Sequence, residues 1–284
     1  MRKTIRSLLI GILIGAFVFF AANYLLIRRG YSESRKVYSE ASEAYTRPAA
    51  APERTAKDGA GESRREEERE EETPPPDCAP IEVDFDELTA VGRDVFGWIY
   101  CEGTVIDYPV LWGRDNEFYL HQNYLAQADP CGSIFSDGGN IKGVVDSNII
   151  LYGHHMQDMS MFATLKYWLE QEYFDEHPYM WLLTPEQDYR LELFSGYVTA
   201  ADSDTYVIYR GPCPEFDEYL QKAAEQSVVK AAVELEPDAH YMVLSTCAYS
   251  FYLARTVLHG KLVPVNSAGG VPFLADADTE NTAP

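Results

Sequence analysis

The sequence predicts a mainly β domain, a barrel or sandwich with helical insertions, preceded by one membrane-spanning helix. Three observations predict it. Residues 81–264 hold seven short β-rich runs but only two stretches of helical periodicity. Residues 7–27 form a run of 21 without a charged side chain. Hydrophobic residues make up 46% and aromatic residues 13% of 284, enough for one sizeable core.

From the N-terminus, Arg2, Lys3 and Arg6 precede the apolar run, and Arg28 and Arg29 follow it. As a helix rising about 1.5 Å per residue, the run covers about 31 Å, enough to cross a bilayer. It exceeds the roughly 7–15 apolar residues of a cleaved signal, and Ala21-Ala22-Asn23-Tyr24 is a poor cleavage site. Residues 1–29 therefore read as a cytoplasmic tip and an uncleaved anchor, which leaves the rest of the chain outside the cell. Residues 30–80 have no sustained apolar periodicity and contain a glutamate run followed by Pro74, Pro75 and Pro76. They read as a disordered, solvated stalk. Strands are expected over 95–100, 104–111, 147–152, 189–200, 206–209, 240–247 and 256–263, and helices over 161–172 and 214–225. Residues 265–284 read as an acidic flexible tail.

The net charge is −22, of which about −19 falls within 81–264. Such a surface excludes nucleic acid as a partner, because a phosphate backbone is bound through clustered Lys and Arg. No CxxC pair occurs, so a zinc ribbon is excluded. His154 and His155 are adjacent, but consecutive side chains diverge and no acidic or thiol cluster completes a site. Neither a metal nor a cofactor is expected. Cys78, Cys101, Cys131 and Cys213 are irregularly spaced. An exported chain could oxidise them into up to two disulfides, with no basis for pairing, and Cys78 is expected to be free.

The chemistry converges on strand ends. The run 148–152 leads into Gly153-His154-His155, the run 240–246 ends at Cys247, and a third strand starts just after Arg255. Antiparallel pairing across a hairpin would make Cys247 and Arg255 neighbours. A thiol near a histidine supports acyl transfer: the thiolate attacks a carbonyl and an imidazolium protonates the leaving amine. A guanidinium alongside can stabilise the oxyanion. Ser245, Thr246 and Tyr152 border the strand ends and are the candidate substrate-binding residues. By alternation Ser245 shares a face with Cys247 and is expected to touch substrate, while Thr246 packs or hydrogen-bonds inward. These residues alone leave three readings open: a transpeptidase, a cysteine hydrolase releasing product to water, and a non-catalytic membrane-tethered interaction protein.

Leu244-Ser245-Thr246-Cys247 followed by Arg255, with Tyr152-Gly153-His154-His155-Met156 upstream, resembles the class B sortases of Gram-positive bacteria. The order and spacing of Gly97-Trp98-Ile99, the 103–110 run, Asp115-Asn116-Glu117-Phe118-Tyr119-Leu120 and Gly132-Ser133-Ile134-Phe135-Ser136-Asp137 extend the resemblance over nearly all of 81–264. The resemblance implies an eight-stranded sortase-type β-barrel with an N-terminal helical region and a helix inserted before the cysteine strand. It implies Cys247 as the nucleophile of a thioacyl intermediate, His154 rather than His155 as the catalytic histidine, and Arg255 as the oxyanion-stabilising arginine. The implied substrates are surface proteins with a C-terminal sorting signal, Asn-Pro-x-Thr-like more than Leu-Pro-x-Thr-like. The implied acceptor is an amine of a peptidoglycan precursor or a pilin.

Overall fold

The structure is a computed structural model that describes residues 2–49, 77–250 and 252–266, with side chains from Leu9 onward. It starts with one helix, α1 (Arg2–Tyr45). Its first half carries the apolar run on an exposed surface, and among the described residues this is the one helix long and apolar enough to cross a membrane. Its second half corrects an expectation. Residues 30–45 do not belong to a solvated stalk, because Ser34, Tyr38 and Ala41 are buried against the barrel. Their spacing of four and three places them on one helix face. Strand β1 (Thr46–Pro48) then pairs antiparallel with β2 (Ile81–Val83), so that Pro48 lies opposite Ile81, and Ala49 N–H donates to Pro80 O at 2.9 Å. Residues 50–76, with the glutamate and proline runs, lie outside the described residues, but the chain leaves and re-enters at this one point. Helix α2 (Phe85–Val91) follows, capped by Asp84, whose side chain accepts from Glu87 N–H at 3.0 Å.

Eight strands close a barrel: β3 (Val95–Tyr100), β4 (Asp107–Leu111), β5 (Ile134–Ser136), β6 (Asn148–Tyr152), β7 (Tyr179–Leu183), β8 (Asp188–Ala200), β9 (His240–Cys247) and β10 (Ala254–Val265). Their order is β10-β8-β7-β3-β4-β5-β6-β9, and β9 returns to β10. All neighbours are antiparallel except β4–β5 and β6–β9, which run parallel. Alternation separates two apolar layers. Ile149, Leu151, Met242, Leu244 and Leu258 point into the barrel. Ile150, Tyr241, Val243 and Val257 point out and are covered by Phe216, Tyr219, Leu220 and Ala223 of a helix. That helix, spanning Pro214–Gln226, starts with Pro214 at its N1 position, where a missing N–H costs nothing. It is the insertion expected over 214–225.

Several local expectations change. The run 206–209 is not a strand: a single 3₁₀ turn (Asp204–Tyr206) leads into extended chain, and Tyr209 N–H donates to the Asn148 side chain at 2.8 Å. The 161–172 stretch splits into a 3₁₀ segment (Ala163–Leu169) and a separate short helix, α3 (Gln171–Glu176). The strand expected from 104 begins at Asp107, because residues 101–104 form a turn with Gly103 at φ 74°. Strands β5 and β7 were not anticipated from pattern. The first has three residues, and the second, Tyr-Met-Trp-Leu-Leu, is buried at four consecutive positions and shows no alternation. All five cysteines are thiols, with Cys101 and Cys131 buried. Among the described residues no group of three or more His, Cys, Asp or Glu could hold a metal.

Candidate active site

Three strand ends meet at one rim of the barrel. On β9 and β10, Cys247 is directly opposite Arg255. On the other side of β9, the parallel register pairs Tyr152 with Ser245, and Gly153 N–H donates to Ser245 O at 3.1 Å. The pairing ends there, so His154 follows two residues beyond its last pair, and alternation puts Tyr152, Ser245, Cys247 and Arg255 on the outer face. Gly153 is required at the exit of β6. A Cβ there would stand 2.5 Å from Ile134 Cδ1 and 2.7 Å from the Phe162 ring.

The two histidines are held by different carbonyls. His154 Nε2 lies 2.8 Å from Leu120 O, and His155 Nδ1 lies 2.8 Å from Cys247 O. A carbonyl only accepts, so in each case the contacting nitrogen carries the proton. His154 is thereby left with Nδ1 for proton exchange. His155 braces the peptide of the cysteine and rests edge-on against Tyr249 at 5.1 Å. Burial holds the His155 pKa below the usual imidazole value, opposed by its bond to Cys247 O.

Arg255 is half-buried, and its Nη1 donates to Ala254 O at 3.1 Å. Among the described residues it has no carboxylate partner, in a domain rich in acids. Its charge is felt by both Tyr152 and Tyr206. Those two rings stack at 6.2 Å. Tyr206 OH and Ser245 Oγ are 2.9 Å apart. Tyr152 OH donates to Asp137 Oδ2 at 2.7 Å, which also accepts from Asn116 Nδ2 at 2.9 Å. Burial pushes the Tyr206 phenol up to about 12, and burial together with the Asp137 carboxylate raises that of Tyr152. Both remain neutral donors at physiological pH.

Of the residues expected to bind substrate, Tyr152 is half-buried on the outer face, Ser245 shares that face but is buried at 1% with its hydroxyl on Tyr206, and Thr246 faces the other way. Thr246 points into the barrel, 2% exposed, and its Oγ1 has no partner among the described residues. A neutral threonine methyl packs well in a strand interior, but nothing in the structure explains the unpaired hydroxyl. Sequence reasoning missed Tyr206, which looked like a strand residue, and the bracing by His155. It also missed the Leu120 carbonyl, because a backbone acceptor leaves no residue-type signal.

No protein-family model matches the chain. Sortase B of Listeria monocytogenes is 37% identical over 180 residues, covering 62% of this chain and 73% of the relative. The crystal structure of sortase B from Bacillus anthracis in complex with AAEK1 superposes with a TM-score of 0.62 at 31% identity, covering 83% of this chain and 99% of that one. The Staphylococcus aureus sortase B–substrate complex gives 0.60 at 31%, covering 64% and 85%. With an identity above 30% over nearly three quarters of a curated relative, and the same closed eight-stranded barrel, the chain belongs to the class B sortases and is a cysteine transpeptidase.

Proposed function

We propose that the protein is anchored in the membrane by residues 7–27, N-terminus in the cytoplasm and barrel outside, and cleaves a C-terminal sorting signal of surface proteins through a thioacyl intermediate on Cys247. The observation that carries the reading is the pairing of Cys247 with Arg255 across β9–β10, with His154 two residues beyond the Tyr152–Ser245 pair that ends the parallel β6–β9 register. The Cys247 thiolate attacks the scissile carbonyl. The guanidinium of Arg255, free of any described carboxylate, stabilises the oxyanion. His154, oriented by Leu120 O, delivers a proton from Nδ1 to the leaving amine. An incoming neutral amine, from a peptidoglycan precursor or a pilin, attacks the thioacyl carbonyl, gives its proton to His154 and expels the Cys247 thiolate. The Tyr206 hydroxyl and the Tyr152 oxygen, which can accept once its proton is on Asp137, suit the polar side chain of an Asn-Pro-x-Thr-like signal better than a leucine-led one.

The test is a peptide library presented to the full chain in detergent, with and without an amine acceptor, against Cys247→Ala. Ligated products that require the acceptor and vanish in the variant support the reading. Cleavage to free acids that ignores the acceptor would make the protein an endopeptidase instead.

A further inference from the structure

The helix that carries the apolar run does not stop before the barrel begins. Residue Ile27 ends the run, and α1 continues to Tyr45 without a break. Three residues on, a Cβ at Gly30 would stand 3.4 Å from Pro130 Cγ. One turn later Ser34 Oγ donates to Gly30 O and to Asp129, and Arg35 pairs with Asp158 at 2.8 Å. Tyr38 OH then donates to Gly132 O. At about 1.5 Å per residue, Gly30 lies about 4.5 Å beyond the apolar end. The headgroup layer is about 5–7 Å thick on each side of the hydrocarbon core. Pro130 therefore falls within it, whereas Ser34, which holds Asp129, and Tyr38, which holds Gly132, lie about 10.5 Å and about 16.5 Å beyond the apolar end; Gln127 and Ala128, in the same loop as Pro130, are exposed.

The same turn is bonded to the active site. Ser133 N–H donates to Tyr119 O at 2.9 Å, and the next carbonyl, Leu120 O, is the one that orients His154. Nothing separates anchor and barrel, because the acidic segment that could have been a spacer starts and ends at the β1–β2 pairing. We infer that α1 seats the barrel directly on the phospholipid surface, with Pro130 and the exposed residues beside it, Gln127 and Ala128, at the headgroups. This rests on the anchor reading above. It limits the substrate to a signal whose scissile bond is presented close to the membrane. The acidic barrel gains nothing from anionic lipid, so the seating depends on the helix and not on the barrel's own charge.

The test uses the full chain in phospholipid vesicles, with a benzoylphenylalanine photo-crosslinker placed singly at 17, 127, 130 or 43. Lipid adducts are expected at 17, 127 and 130 but not at 43, which lies on α1 about 24 Å beyond the apolar end. A 12-residue Gly-Ser insert between Ile27 and Arg28 should lower the adducts at 127 and 130 at least about tenfold and leave that at 17 unchanged. An adduct at 17 with none at 127 or 130 would overturn the seating and spare the anchor. No adduct at 17 would overturn the anchor reading and the seating with it. Adducts at 127 and 130 that survive the insert would show that the barrel binds lipid unaided, against the inference.

Discussion

His154 and His155 are chemically alike and adjacent, yet their hydrogen bonds separate their roles. His155 donates to the backbone of Cys247, so its loss should loosen the nucleophile without removing a proton carrier. His155→Ala is expected to lower kcat for a soluble peptide about fivefold, the worth of one net hydrogen bond of about 1 kcal/mol. His154→Ala should cost on the order of 10²–10⁴, the usual contribution of a positioned acid–base group. The opposite ranking in steady-state kinetics would reverse the assignment. Ser245 and Tyr206 share one hydrogen bond. Ser245→Ala and Tyr206→Phe should each raise KM a few-fold with little change in kcat, and the double variant should be no worse than the poorer single one. Additive losses would mean that the two hydroxyls act separately.

Among the elements, the second half of α1 behaves as part of the catalytic domain. Tyr38 is buried at 5%, its ring meets Tyr108 edge-on at 5.5 Å, and its hydroxyl reaches Gly132 O and Ser133. A fragment starting at residue 81 removes Tyr38, Ala41 and the β1 partner of β2. It should unfold at a clearly lower temperature than one starting at residue 30, by calorimetry, and lose activity with it. Equal Tm values for the two fragments would show that the helix merely rests on the barrel. Under the helix Pro214–Gln226, His259 is fully enclosed, its Nε2 3.0 Å from Tyr197 OH, with its ring stacked on that phenol at 5.3 Å. Desolvation lowers its pKa to about 3. Between that value and the roughly 6.5 of an unfolded histidine, only the unfolded chain takes up the proton. Stability should therefore fall as pH drops below about 6.5, by about 1.4 kcal/mol per unit from this residue, and level off near pH 3. Denaturant titrations of His259→Gln should show a shallower slope over that window. An unchanged slope would assign the acid sensitivity to other groups.

For the whole molecule, the acidity has a place and a consequence. The −22 is concentrated on the barrel, while the anchor and the residues up to 80 balance. A field of that sign attracts a cationic amine and is screened over about 8–10 Å at physiological salt. With the full chain, kcat/KM for a cationic amine acceptor should fall with added salt, and that for neutral hydroxylamine should not. Equal salt responses would exclude steering.

How much could be read before folding depended on where the information lies. The apolar run, the inserted helix and the order Gly153-His154, Cys247, Arg255 are local properties of the chain, and periodicity and residue type expose them directly. Strand β7 was hidden because a strand buried on both faces carries no alternation. Tyr206 was misplaced because aromatic and β-branched residues favour strands even where the chain only turns. The limits of the stalk failed for a related reason. Ser34, Tyr38 and Ala41 are weakly hydrophobic singly, and only the surface they meet makes them a packed face. By itself, then, the sequence determined the apolar N-terminal run, the class of chemistry and the residues proposed to carry it. The tertiary structure alone decided which carbonyl holds each histidine, that Ser245 is buried under Tyr206, and that the helix carrying the apolar run continues onto the barrel. Those outcomes depend on contacts between residues tens of positions apart, which chain closure and register create and local pattern does not record.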